Sequence, residues 1–185
     1  MGAGRGRGRP LTVTLLVRPR TDADIPPLVA HLSLVHERDG YPVRWPPGGG
    51  PDPVTTFVAP PGALAAWVVD DGAGPVGQAV LTPGHDAGSL GWAELTGLPV
   101  QHHAVVSRVF TAVTARGQGA LRQLLAEAVR EAEQRGLLAV LDVLDDHTGA
   151  RAAYRRLGWR ELGRGTFTFR DGTHQPMTYL LQPAG

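Results

Sequence analysis

Two kinds of apolar spacing alternate along the chain, and each change from one to the other marks an element. Around Val105, Val109, Phe110, Thr111 and Val113 the residues are β-branched or aromatic and alternate, which predicts a strand. That run breaks at Arg116-Gly117-Gln118-Gly119. From Gly119 onward apolar side chains recur at Leu121, Leu124, Leu125, Ala128, Val129 and Ala132, a helical stripe that ends at Gly136. Leu137 to Leu144 is almost continuously apolar, as expected of a strand covered on both faces. Asp145-Asp146-His147-Thr148 supplies caps for a helix over 149–157, with Gly158 at its end. Trp159 to Phe169 and Met177 to Leu181 then predict two strands joined by a turn at Asp171-Gly172.

The first half reads less regularly. Leu11 to Val17 predicts a strand stopped by Arg18-Pro19. Thr21 or Asp22 can cap a helix with Pro26 near its first turn and a body through Val35, ended by Asp39-Gly40. Tyr41 to Pro53 holds too much proline and glycine for regular structure; its Tyr41 and Trp45 either pack over the edge of the core or form one wall of a substrate pocket. Ala63 to Asp70 and Val76 to Leu81 predict a hairpin. Gly72 to Gly77 in its turn satisfies G-x-G-x-x-G, but a strand follows where a dinucleotide site needs a helix N-terminus, so the match carries no site. A long connection with a short helix around Trp92 to Leu95 precedes the next strand. The order of elements implies one α/β domain over 11–185, a mixed sheet with helices on both faces, behind an Arg-Gly-rich tail at 1–10.

Composition removes several classes of function. The chain has 185 residues, 42% hydrophobic, with a formal net charge of +1, which points neither to disorder nor to a general pull toward nucleic acid. It has no cysteine, excluding thiol catalysis, disulfides and cysteine-based zinc sites, and no apolar run approaches the roughly 20 residues of a membrane span. With no secretory signal visible, a cytoplasmic protein is expected. All 18 basic residues are arginine, so arginine abundance by itself says little about phosphate recognition, and no lysine is available for catalysis. The adjacent His102 and His103 point to opposite sides of an extended chain, and His31 and His36 do not share a helix face, so no metal site is expected.

A strand, a glycine turn and a helix start, in that order, make an anion site: the glycines allow close approach, and the first-turn N–H groups have no partner within the helix. The turn at Arg116-Gly117-Gln118-Gly119-Ala120-Leu121, behind SRVFTAVTA, resembles the Gln/Arg-x-x-Gly-x-Gly/Ala motif of the GNAT (Gcn5-related) N-acetyltransferases. A second signature of that family is matched by His147-Thr148-Gly149-Ala150, Tyr154 and Gly158-Trp159. Leu121 stands where the family prefers glycine or alanine, and His147 where it has asparagine. The likeness runs from Leu11 to Leu181.

The resemblance implies a mostly antiparallel sheet of about six to seven strands, acetyl-CoA as donor, and direct transfer to a primary amine on a small molecule or peptide, with no role for nucleic acid or membrane; a homodimer is left open. It places the backbone of Phe110 and Thr111 on the pantetheine arm, residues 116–121 on the pyrophosphate, and His147 near the arm. Arg116 either adds charge to the phosphates or braces the turn. Tyr154 is the candidate general acid, against the simpler reading of a tyrosine packed on the sheet. The general base stays open among Glu94, His102, His103, Asp142 and Asp145, and Asp39, Asp52 and Glu94 are the acidic groups that could draw a cationic acceptor. A non-catalytic acyl-CoA-binding module of the same fold is the alternative.

Overall fold

The computed structural model describes residues 14–84 and 89–183. The Arg-Gly tail, the start of the expected first strand, and His85 and Asp86 lie outside the described residues. The sheet has seven strands in the order β1-β2-β3-β4-β5-β7-β6: β1 Leu16–Pro19, β2 Ala65–Asp70, β3 Pro75–Pro83, β4 His103–Thr111, β5 Leu138–Leu144, β6 Arg160–Thr168 and β7 His174–Leu181. Every pairing is antiparallel except β4 with β5. The helices are α1 Ile25–Asp39, α2 Pro53–Val58, α3 Ser89–Thr96, α4 Ala120–Gln134 and α5 Thr148–Arg156.

Most boundaries follow the sequence pattern within two or three residues. Arg18 and Pro19, expected to stop the first strand, instead belong to it, because proline is tolerated on an edge strand and β1 is one. The short helix α2 was hidden inside a proline-rich stretch. Asp52 caps it, accepting from the Thr55 N–H at 3.2 Å, and Pro53 fills its first turn.

Helices cover both faces. On one, Leu124, Leu125, Ala128 and Ala132 of α4 pack on Trp67, Val69, Leu81, Val106 and Leu141, joined by Tyr154 and Trp159. On the other, Leu28, Leu32 and Val35 of α1 pack with Val58, Val68 and Phe110. A third cluster holds Trp92 of α3 edge-on to Tyr179, with Val105, Val140 and Met177.

Two irregularities shape the centre of the sheet. The parallel pair β4 and β5 is joined only at His103 with Leu138, Ala104 with Ala139 and Val105 with Val140; beyond these the strands part. Next to the opening, β4 bulges. From Val80 to Gln78, β3 advances two residues while β4 advances three, from Ser107 to Phe110. Arg108 takes up the difference at φ +53°, alone in that region among the described non-glycine residues. The fully buried Gln78 supports the bulge: its Nε2 donates to Val58 O at 3.1 Å and Arg108 O at 3.4 Å, and its Oε1 accepts from Arg20 Nη1 at 3.2 Å.

Candidate active site

The parting of β4 and β5 opens a cleft of about 1630 Å³. Its floor is Val106 to Thr111 of β4 and Asp142 to Leu144 of β5. Its walls are the glycine turn and the start of α4, His147 and Tyr154 of the α5 region, Tyr41 to Arg44, Phe57 and Phe167 to Asp171.

The glycine turn is shaped as an anion site. Gly117 and Gly119 have φ of +75° and +86°, and a side chain at either would be strained by the backbone alone. Gly119 is the N-cap of α4 and no side chain caps that helix, so its first-turn N–H groups keep their hydrogen-bonding capacity. Gly117, Gly119, Ala120 and Leu121 line the cleft, as do Arg116 and Arg122. Gln118 does not. It is exposed, and its Nε2 donates to Thr114 O at 2.8 Å, so it holds the turn from outside. Arg116 is ion-paired with Asp39 at the end of α1. That bond holds the Asp39 carboxyl below the ordinary carboxylate range, with Arg38 and His147 contributing in the same direction.

Tyr154 lies in the cleft wall, nearly buried, with its ring 6.4 Å from that of Trp159. Burial pushes its phenol well above the ordinary tyrosine value, and the nearby Tyr41 and Asp142 push the same way. The phenol therefore stays protonated at neutral pH. Tyr41 stands across from it, edge-on to both Phe57 and His147, its phenol likewise raised by burial. His147 Nε2 is buried without a hydrogen-bond partner, a polar atom that a ligand in the cleft could satisfy.

Of the three residues expected in a substrate pocket, Tyr41 lines the cleft and two do not. Trp45 turns back onto α1, stacking on His36 with centroids 4.8 Å apart, while His36 Nδ1 bonds Pro42 O at 2.9 Å; Pro42, Val43 and Arg44 face the cleft in its place. Glu94 is exposed on α3, because that helix docks through Trp92 and leaves Glu94 on the solvent side. Of the five residues raised as bases, Asp142 alone lines the cleft: His103 is buried against Thr96 Oγ1 at 2.8 Å, Asp145 accepts from Thr178 Oγ1 at 2.7 Å, and His102 is exposed. Asp52 is the cap of α2.

Three contributors were missed. Arg108 has no sequence signal, since nothing marks a bulge at an arginine. Phe57 came with the unforeseen α2. The tip of the β6–β7 hairpin was read as a plain turn, although the alternating Phe167 and Phe169 could have marked it. Arg44 ties this tip to the α1–α2 loop: it pairs with Asp171 at 3.0 Å, donates to Thr173 Oγ1 at 2.5 Å and lies over the Phe169 ring at 4.8 Å.

The sequence model of the Acetyltransferase (GNAT) family matches residues 34–159, which include the glycine turn and Tyr154. The chain belongs to this family. Solved structures share its fold at low identity. A ribosomal-protein-alanine N-acetyltransferase from Brucella melitensis is 22% identical with a TM-score of 0.66, over 91% of this chain and 99% of that one. A putative acetyltransferase, YncA, from Salmonella typhimurium, solved with its cofactor acetyl-CoA, is 14% identical with a TM-score of 0.65, over 91% and 93%. NAA60 of Arabidopsis thaliana in complex with acetyl-CoA is 15% identical, also with a TM-score of 0.65, over 91% and 98%. Comparison with curated proteins finds no relative.

Acetyl-CoA is the acetyl donor in this family. The site here fits it: an uncapped helix start behind two left-handed glycines for the phosphates, and a buried unpartnered nitrogen on His147 beside the open strands. Among the described residues no helix is long and apolar enough to cross a membrane, and no group of His, Asp and Glu could hold a metal ion.

Proposed function

We propose that the protein transfers the acetyl group of acetyl-CoA to a primary amine by direct attack, both partners being held together in the cleft. The observation that carries this reading is that the glycine turn and the Tyr154 phenol face one cleft between the parted strands. When bound, acetyl-CoA supplies the acetyl group as an activated thioester. Backbone N–H groups of 116–121 hold its phosphates, and the exposed backbone of Phe110 and Thr111 holds the arm. Tyr154 holds, on its phenol oxygen, the proton that the departing sulfur needs. Asp142 presents negative charge to an incoming ammonium, which must lose a proton before it can attack.

Thiol release from acetyl-CoA against a panel of amines tests the reading. Release that depends on an amine and falls in Tyr154→Phe supports it. Tight acetyl-CoA binding with no release against any amine would instead make the chain a non-catalytic acyl-CoA-binding module.

A further inference from the structure

Arg108 is a polar group of the cleft that neither the phosphate site nor the proton chemistry uses. Its backbone sits at φ +53°, a conformation that glycine or asparagine adopts at less cost. What the position gains from arginine is therefore its side chain. The bulge turns that side chain to the cleft, where the guanidinium lies 4.9 Å above the Phe57 ring. Nε is buried and has no hydrogen-bond partner. Among the described residues Arg108, like Arg122, Arg156 and Arg170 of the cleft lining, enters none of the ion pairs, whereas Arg44 and Arg116 are held by Asp171 and Asp39; of the unpaired four, Arg108 alone has a buried nitrogen without a hydrogen-bond partner. A permanently charged fork with an unsatisfied donor thus faces the cleft.

Its neighbours set it apart from the glycine turn. Phe57 and Tyr41 border it, and the phosphates belong at the start of α4, beyond Thr111. Arg108 and Asp142, on the two parted strands, both line the cleft. The cleft therefore carries a cation on one parted strand and a carboxylate on the other, the complement of a molecule that carries an anion and an ammonium. The Arg44 clasp between the α1–α2 loop and the hairpin tip bounds the space and favours a small molecule over a chain.

We infer that the acceptor is a small amine that also carries a carboxylate, and that Arg108 binds this carboxylate. The inference rests on the acetyltransferase reading above. Carboxylate geometry matches the planar fork of a guanidinium, and a polybasic acceptor meets repulsion from the same group.

Matched acceptors test it: an amino acid, its carboxamide, and the corresponding amine without the carboxyl group, each assayed for thiol release with acetyl-CoA. The wild type should prefer the carboxylate-bearing member by about 10- to 100-fold in kcat/KM, the worth of one charge-assisted pair. In Arg108→Gln that preference should vanish through KM, while turnover of the carboxamide persists and Arg108→Lys restores part of it. The wild-type ranking stands by itself if the variant folds poorly, and a carboxylic acid lacking the amine should inhibit the wild type competitively against the amine. Equal turnover of all three acceptors by the wild type overturns the inference and leaves the transferase reading intact. Acetyl-CoA binding without release against any amine removes both.

Discussion

Asp39, the last residue of α1, is ion-paired with Arg116 of the glycine turn across 77 positions of chain. The arginine best placed to meet a phosphate is thus already held by a carboxylate, and that carboxylate adds negative charge where the pyrophosphate should lie. An exposed ion pair contributes little to stability, so its main effect falls on binding. Asp39→Asn is expected to tighten acetyl-CoA binding by about 3- to 10-fold at low salt, a gain that shrinks as salt rises. Titration calorimetry at two ionic strengths checks it. Weaker binding in the variant would show that Asp39 serves to aim Arg116.

Tyr154→Phe should lower kcat by about 10²–10⁴ with acetyl-CoA affinity little changed, as for loss of a proton donor. Because burial raises the phenol, Tyr154 stays protonated as pH passes the ordinary tyrosine value of about 10. Its ionisation should therefore add no falling limb to the kcat profile up to that pH. A decline in the wild type near pH 9, absent from the variant, would keep Tyr154 as the proton donor and contradict the raised phenol.

Gly77 was the last glycine of a nucleotide fingerprint that fails for want of a helix. In the structure it serves close approach: a Cβ there would stand 2.7 Å from Phe110 O and 3.1 Å from Thr111 Cα. Gly77→Ala should push the end of β4 toward the cleft, costing about 1–3 kcal/mol in stability. Acetyl-CoA binding should weaken as well, although the residue lies outside the cleft lining. Denaturant melts and binding titrations on the same preparation separate the two effects.

Arg18 grips Asp24 with two hydrogen bonds of 2.8 Å, and Thr21 donates to the same carboxylate from its N–H and hydroxyl. The Arg18 bonds hold Asp24 far below its ordinary value. A depressed carboxyl stabilises the fold above the unfolded pKa, near 3.9, and loses that contribution as pH falls toward the folded value. Asp24→Asn should cost about 1–2 kcal/mol at pH 7, since Arg18 loses its two bonds to Asp24 but keeps its pair with Asp70. The gap between variant and wild type should close steadily below about pH 4. Urea denaturation at pH 7 and pH 3 measures both.

Elements built by local rules were legible in the sequence, and those built by long-range contact were not. The α4 stripe, the apolar β5 run and the caps around Gly40 and Gly136 each follow from spacing within a dozen residues. The bulge at Arg108 arises from a register shift against β3, and its sign, a positive φ, sits on a residue that gives no warning. Trp45 and Glu94 failed as pocket residues for a related reason. Each was placed by composition, and which way a loop or a short helix turns was settled by packing that spacing does not show, on His36 of the preceding helix for one and on Tyr179, far along the chain, behind Trp92 for the other. The glycine turn was visible as an anion site from three adjacent signals, but that Asp39 already meets its arginine was not.

Three residue pairs are all that join β1 through β4 to the half-sheet of β5, β7 and β6 along the β4–β5 seam. A ligand lying in the opening touches both halves, so its binding energy becomes cohesion of the whole sheet. Saturation at 100 times Kd adds about 2.7 kcal/mol to the folded state. A substitution deep in either half that lets the seam breathe would then register first as lost affinity, and a ligand bound there would double as the crosspiece that keeps the frame square.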